Sequence, residues 1–166
     1  MENYIYGIGA ILIMAAPVVY LVITRKRREA AFIKHFKELA AKENIHMDDT
    51  EIWNVHYAIG LDNGTKKLFY YKKMKEGEKT VAVDLANVES CRIATKSRSV
   101  KTTSGSSSVI DRIDLALLIS GPQKTEKLIE FFNGEESLSL RGEPLIVEKW
   151  QGKINDALKK KKTVSR

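Results

Sequence analysis

The feature that most constrains the fold is an uncharged segment near the N-terminus. Residues 4–23, YIYGIGAILIMAAPVVYLVI, carry no formal charge. As an α-helix this segment would span roughly 30 Å, which is the hydrocarbon thickness of a bilayer. Four basic residues follow it, Arg25, Lys26, Arg27 and Arg28. A signal peptide has the opposite polarity, with its positive charges in front. The segment therefore predicts a retained single-pass transmembrane helix.

The distribution of charge predicts the orientation of that helix. The positive-inside rule would place the N-terminus outside and the rest of the chain in the cytoplasm, at the inner (cell) membrane. Residues 144–166 hold seven Lys/Arg against two Asp/Glu, which is most of the net charge of +7. Nucleic-acid binders usually carry a basic stripe across a folded face, so no nucleic acid is expected. We predict instead that two basic clusters contact an anionic lipid surface. They are Arg25, Lys26, Arg27 and Arg28, and Lys159, Lys160, Lys161 and Lys162.

Residues 25–44 are typical of an amphipathic helix that continues from the apolar segment. Phe32, Ile33, Phe36 and Leu39 recur at helical spacing and form one apolar stripe. The stripe predicts docking on the folded domain or at the membrane surface. A coiled-coil partner site is the alternative, although the stripe is only two to three turns long.

From Glu51 onward the apolar period becomes that of strands. Asn63-Gly64 is the strongest short hairpin signal, and TTSGSSS over 102–108 predicts a flexible loop. Pro144 then opens a last helix that carries Trp150 on its apolar face. We predict seven strands, over 52–62, 65–74, 80–85, 88–100, 110–120, 128–132 and 138–140.

This order of elements resembles the pleckstrin-homology (PH) superfold over residues 50–158, with 159–166 as a basic tail. The resemblance implies an α+β, mainly β domain, in which a seven-stranded antiparallel barrel is capped by a C-terminal helix. With the apolar segment in front, the chain looks like bacterial single-pass membrane proteins with a cytosolic PH-like domain. That family is chiefly a binding and scaffolding fold. Its phosphoinositide-binding members use a basic loop between the first two strands, whereas a tight turn is predicted here. Lys66, Lys67, Lys72 and Lys73 are therefore expected on a solvated face.

Residues that could carry chemistry are sparse, and no catalytic, cofactor-binding or metal-binding residue is predicted. None of the motifs of serine hydrolases, P-loop proteins or zinc proteases occurs. Each isolated candidate also has an ordinary structural interpretation. The acids before the first strand form a cap, two acids three apart on a strand face opposite sides, and the lone cysteine and a strand histidine are core residues. These candidates are Asp48, Asp49, Glu51, Asp111, Asp114, Cys91 and His56.

A further basic group flanks the serine-rich loop. Arg92, Lys96, Arg98 and Lys101 could bind an acidic partner or a phosphate, or could simply form a solvated strand edge. Together these features predict a membrane-anchored, non-enzymatic scaffold whose domain recruits a protein partner. A peripheral sensor of anionic lipid headgroups is one alternative. An accessory subunit of a membrane enzyme or transporter complex is the other.

Overall fold

The computed structural model describes the backbone of residues 2–102, 105–137 and 139–164, and the side chains of residues 16–101, 105–137 and 139–159. Within the described part, two helices flank seven strands. A 3₁₀ turn, Leu85–Asn87, follows the fourth strand and leads into the fifth. The elements are α1 Glu2–Lys42, β1 Asp49–Trp53, β2 Tyr57–Asp62, β3 Lys67–Lys73, β4 Glu78–Asp84, β5 Val88–Thr102, β6 Gly105–Ile119, β7 Thr125–Asn133 and α2 Glu143–Val164.

The strands form two antiparallel sheets that do not close into a barrel. Sheet A has the order β1-β2-β3-β4 and sheet B the order β5-β6-β7. The predicted seven-stranded barrel is therefore wrong, and the domain is α+β with two separate sheets. Along β7, side chains of sheet A contact two backbone carbonyls directly. The Trp53 indole N–H donates to the Phe131 carbonyl at 3.0 Å, and the Tyr70 hydroxyl donates to the Glu130 carbonyl at 2.8 Å.

The division of the chain into strands differs from the prediction at two places, and most other strand boundaries shift by one to five residues. The predicted strand 52–62 is two strands, because Asn54 and Val55 take positive φ angles of 52° and 54° and turn the chain. His56 lies exposed beside this turn, so its prediction as a barrel residue is wrong. No strand covers residues 139–140, and Leu138 lies outside the described residues. The total of seven strands agrees only because one error offsets the other.

The hairpin turn after β2 is longer than predicted and is organised by a carboxylate. Asp62 pairs with Lys67, so the turn has four residues rather than two. Asp62 Oδ1 accepts hydrogen bonds from the backbone N–H of Thr65 at 2.9 Å and of Gly64 at 2.8 Å, and its Oδ2 accepts one from His46 at 3.0 Å. These hydrogen bonds favour the charged carboxylate and lower the pKa of Asp62 to about 2. The side chain of Asp62, the residue just before the turn, therefore fixes the conformation of the turn.

The main core lies between the inner faces of the two sheets and α2. Helix α2 contributes Val147, Trp150, Ile154 and Leu158, as its apolar spacing predicts. Trp150 is fully buried, and its indole N–H donates to Glu51 Oε2 at 2.7 Å. Cys91 is buried in the same core, and burial raises the pKa of its thiol to about 12.

A second, smaller core attaches α1 to the outer face of sheet A. Phe36 is fully buried and its ring centroid lies 5.6 Å from that of Phe69. Phe32 makes an edge-on contact with Tyr71 at 5.3 Å. The apolar stripe predicted within residues 25–44 thus docks on the domain, which is the first of its two interpretations. Sheet A is consequently covered on both faces, and this explains why successive residues of β3 from Leu68 to Tyr71 are all buried.

The predicted transmembrane helix over residues 4–23 is contradicted. Across the described residues we find no helix with the length and apolar character needed to cross a membrane. The side chains of residues 1–15 lie outside the described part. The single-pass topology and the inner-membrane location predicted from it are corrected accordingly.

Candidate functional site

The candidate site is a strand edge whose backbone groups are not paired with another strand. Edge strands present rows of free N–H and C=O groups, which proteins usually cover or block. On β4, the Ala82 carbonyl accepts a hydrogen bond from Lys127 Nζ at 3.1 Å. On the first half of β5, the Cys91 carbonyl accepts one from Asn155 Nδ2 of α2 at 3.2 Å. With the two β7 carbonyls described above, side chains block part of three edge strands.

The second half of β5 is different, because it leaves the core with β6 as a two-stranded ribbon. Moving outward from the main core, Ile93 on β5 and Ile110 on β6 are the outermost residues that pack against it. Every described side chain from Thr95 to Lys101 and from Gly105 to Val109 is exposed. We call residues 95–109 the arm. At about 3.3 Å per residue, its β5 strand extends roughly 25 Å and its β6 strand roughly 16 Å.

The arm begins at an irregularity in the pairing of β5 with β6. Lys96 pairs with Arg112 while Ser97 pairs with Ile110, so Asp111 is an extra residue on β6. The Asp111 carbonyl accepts a hydrogen bond from the Gly134 N–H at 2.7 Å. Bulges of this kind bend a strand and increase its twist. Because Thr95 and Lys96 lie on the core side of the bulge, it bends the arm from Ser97 outward.

Pairing stays regular through the arm up to its tip. Thr102 pairs with Gly105, which has a φ of 137°, and residues 103–104 between them lie outside the described part. The predicted flexible loop over 102–108 is therefore wrong for residues 105–108, which belong to β6. Among the described residues, no side chain is hydrogen-bonded to the backbone between Thr95 and Lys101. This length of β5 keeps one open edge.

The arm is positively charged. Lys96, Arg98 and Lys101 lie on β5, and residues 95–109 include no Asp or Glu. Arg98 is 69% exposed and its Nε lies 3.1 Å from Asp111 Oδ1 at the base of the arm. Arg92 lies outside the arm and forms a two-pronged contact with Glu126 at 2.8 to 3.1 Å. Of the four basic residues predicted around this loop, three are thus grouped on the arm.

A second cluster of interest lies where β3 meets β7, and only part of it is buried. Lys72 Nζ donates to Glu130 Oε1 at 2.5 Å and to Glu136 Oε1 at 2.7 Å. Arg112 Nε donates to Asp114 Oδ2 at 2.6 Å, and another of its nitrogens lies 3.5 Å from Glu130 Oε2. We call these five residues the ionic seam. Lys72 was expected on a solvated face, but its side chain is only 6% exposed.

The protonation states of the residues in and beside the ionic seam favour a structural role for the seam over a catalytic one. Burial alone would lower the pKa of Lys72, but the hydrogen bonds and negative charges of Glu130 and Glu136 outweigh it and raise that pKa. The Lys72 hydrogen bond is the main cause that lowers the pKa of Glu136. Burial, followed by the nearby Glu130 charge, raises the pKa of the Tyr57 hydroxyl. Lys72 therefore stays cationic at neutral pH and offers no free amine for general-base chemistry.

The acids that could have formed a metal site are occupied separately. Asp48 accepts from the Asn63 N–H at 2.8 Å, Asp49 lies 3.2 Å from Lys153 Nζ, and Glu51 lies 2.9 Å from Lys149 Nζ. In the described part of the chain, no three His, Cys, Asp or Glu side chains are placed together to hold a metal ion. Asp49 and Glu51 instead link β1 to α2.

The predicted lipid-contact residues lie on two different helices. Arg25, Lys26, Arg27 and Arg28 are exposed on α1, where Arg25 Nε lies 3.1 Å from Glu29 Oε1. Lys159 is exposed near the end of α2, with Nζ 3.2 Å from Asp156 Oδ1. The side chains of Lys160, Lys161 and Lys162 lie outside the described residues, and their backbone continues α2 rather than forming a separate tail. Contact of these clusters with lipid stays a prediction.

The four lysines expected on a solvated face lie in three different environments. Lys66 and Lys67 are half-buried beside the four-residue turn and Lys73 is exposed, whereas Lys72 belongs to the ionic seam. The four lysines therefore do not share one surface.

Comparison with known proteins gives no identification: no protein-family model, no curated protein and no solved structure matches the chain. The resemblance to PH-like domains accordingly stays a prediction.

Sequence reasoning missed both the arm and the ionic seam. For the arm, the available signal was the stretch from Thr95 to Val109, which has valines and β-branched threonines around one glycine and no proline. For the seam, the only signal was that Lys72 has the same strand parity as Leu68 and Tyr70.

Proposed function

We propose that this chain is a non-enzymatic binding protein whose β-rich domain recruits a protein partner. The observation that supports the proposal is the arm, an exposed two-stranded ribbon with an open backbone edge on β5. Natural proteins usually suppress such an edge, because it pairs readily with another chain. An edge that is blocked near Cys91 and left open beyond Thr95 is suited to specific pairing.

The state of the other charged groups agrees with a binding role. Lys72 is held by Glu130 and Glu136, and Asp49 and Glu51 hold α2 against β1. These groups stabilise the scaffold from which the arm extends. Recruitment by strand addition uses main-chain hydrogen bonds for affinity and alternate side chains for specificity. It needs neither a deep pocket nor a reactive side chain.

The test is capture of the partner by the tagged full chain, identification by mass spectrometry, and reconstitution of the complex from purified components. A variant with a shortened arm is compared, in which residues 99–108 are replaced by Asn-Gly. This two-residue turn joins Arg98 to Val109, which already pair with each other. A matched control is Leu145→Ala, at a side chain of α2 that is 73% exposed.

The proposal expects a stoichiometric protein complex that re-forms from the purified components. The shortened arm should abolish it and Leu145→Ala should leave it intact. A chain that re-forms no complex with any captured protein, but is retained on vesicles of phosphatidylserine and phosphatidylcholine, would contradict the proposal and favour a lipid sensor. A chain that turns over a small-molecule substrate would contradict it as well.

A further inference from the structure

In the arm, β5 pairs with β6 on one side, and its other side is free to pair with an added strand. In a strand, the backbone groups of successive residues point alternately to the two sides, so β5 directs about half of them away from β6. An isolated two-stranded ribbon is only marginally stable in water, and a third strand gives it independent stability. We infer that the outer edge of β5 between Thr95 and Lys101 binds an extended acidic segment, which adds to the arm as a third strand. This inference rests on the proposed function and specifies the chemistry of the partner.

The charges on the arm select an acidic ligand. Lys96, Arg98 and Lys101 lie on both faces of β5, because residues of opposite parity point to opposite faces. A strand added beside them would bring its own side chains within pairing distance on each face. Of these three residues, only Arg98 has an acidic neighbour among the described side chains, and that neighbour, Asp111, lies at the base of the arm. Acidic side chains on the added strand would compensate all three positive charges.

The exposed apolar residues of the arm specify the rest of the pattern. Val100 is 37% exposed and Val109 is 40% exposed. Arg98 pairs with Val109, and Val100 lies two residues after Arg98, so the three side chains share one face. A ligand strand that alternates glutamate with valine places all its glutamates on one face and all its valines on the other. If the glutamates lie on the face of Arg98, they meet that cation. If the valines lie on that face, they meet Val100. The ligand is therefore an acidic segment with β-branched residues rather than a purely acidic one.

Two other occupants fit the arm less well. A second copy of the chain would bring Lys96, Arg98 and Lys101 of each arm together, and like charges on paired strands are destabilising. A nucleic acid would find only three cations and no aromatic side chain on the arm, which is a small electrostatic footprint. Towards the core, α2 closes the edge through Asn155 at Cys91, which sets the inner limit of the site.

The experiment uses the full chain and defined peptide probes. The first probe is a fluorescein-labelled, end-capped octapeptide that alternates glutamate with valine. The second has the same sequence with alternate backbone nitrogens methylated, which removes hydrogen-bond donors and keeps the charge. The third replaces every glutamate by lysine. Fluorescence anisotropy measures binding to the wild-type chain and to K96E/R98E/K101E. The matched control is K37E/K75E/K79E, which makes the same charge change at three exposed lysines outside the arm.

We expect the first peptide to bind the wild type and the matched control alike, and to bind K96E/R98E/K101E about tenfold more weakly. The methylated and lysine peptides should bind at least tenfold more weakly than the first one to the wild type. Since methylation leaves the protein unchanged, that comparison does not depend on the folding of a variant. Equal binding of the methylated peptide would overturn strand addition. Tighter binding of a single-stranded oligonucleotide, or of phosphatidylserine vesicles, would overturn the acidic-peptide assignment. If the arm proves inert to all three peptides while shortening the arm still abolishes a reconstituted protein complex, this inference fails and the proposed function stands.

Discussion

Replacement of Lys72 by methionine tests the ionic seam most sharply. The side chains of Lys72 and Glu130 are 6% and 12% exposed, so each charge depends on the other for compensation. Removing one partner of such a buried pair costs about 3–5 kcal/mol, because the remaining charge is left unpaired away from water. Domains of this size have total stabilities of about 5–15 kcal/mol, so Lys72→Met should remove a large fraction of the free energy of unfolding.

Urea unfolding followed by the fluorescence of the two buried tryptophans measures the change. Lys73→Met is the matched control, since the neighbouring lysine is exposed and its loss should change stability by less than about 0.5 kcal/mol. Adding Glu130→Gln to Lys72→Met removes the stranded charge and should recover about 2 kcal/mol. A loss of less than about 1 kcal/mol for Lys72→Met would refute the reasoning.

The pH dependence of Lys72→Met gives an independent check. The Lys72 hydrogen bond lowers the pKa of Glu136 in the folded protein. Glu136 therefore contributes stability above its unfolded pKa of about 4.3, and the contribution is lost as the pH falls below that value. The raised pKa of Lys72 has the opposite sense, with its contribution complete below about pH 10 and lost only at higher pH. Lys72→Met should consequently lose less stability than the wild type between pH 5 and pH 3. Parallel profiles over that interval would show that Glu136 gains nothing from Lys72.

Three further predictions concern other parts of the fold. Phe36→Ala removes a fully buried ring from the contact of α1 with sheet A and should cost about 3–5 kcal/mol of the free energy with which α1 docks. The loss should be seen as faster amide exchange in α1, and unchanged exchange would contradict the second core. Asp62→Ala leaves the N–H of His46 and of the turn without acceptors and should cost about 1–3 kcal/mol in urea unfolding at pH 7. Its effect should shrink as the pH falls from about 4 towards 2, because the low pKa of Asp62 makes its contribution disappear there, and an undiminished effect would be inconsistent with that pKa. Cys91, the single cysteine, should react with a thiol reagent only on unfolding, and rapid labelling of the native chain would contradict its burial.

Much of the β region could be predicted from the sequence because the inner face of each sheet packs against the main core. The alternation of Ile113, Leu115 and Leu117 places β6 in that core. The helical spacing of Phe32 and Phe36 likewise predicts that α1 has one apolar contact face. In both cases the spacing of the residues that join a core matches the period of the element, although Asp114 and Ala116 of β6 are buried as well.

The remaining features depend on partners distant in the chain. Lys72 and Lys73 are chemically identical neighbours, and only pairing with Glu130, 58 residues away, makes one of them buried. The turn at Asn54 and Val55 lies among strong strand formers, and a β-branched residue with positive φ is uncommon, so local propensity favours an unbroken strand. The arm has no apolar alternation, because its backbone pairing does not depend on a core.

Candidate functional residues were only partly predictable for the same reason. The positive charges near the serine-rich segment were visible, but the sequence left open whether they bind an acidic partner or form a solvated strand edge. The structure places all four on β5, with Arg92 in an ion pair with Glu126 and with Lys96, Arg98 and Lys101 on the arm. The bulge at Asp111, close to these three residues, is a feature that no local sequence rule indicates.

Hydrogen exchange of the reconstituted complex, measured residue by residue, tests most directly whether the arm is the docking surface. In the free chain, amide protons on the outer edge of β5 between Thr95 and Lys101 should exchange rapidly, because they lack hydrogen-bond acceptors. In the complex, alternate amides of this stretch should be strongly protected, as strand addition requires. Exchange that stays rapid there while protection appears on α2 or on the outer face of sheet A would contradict the account.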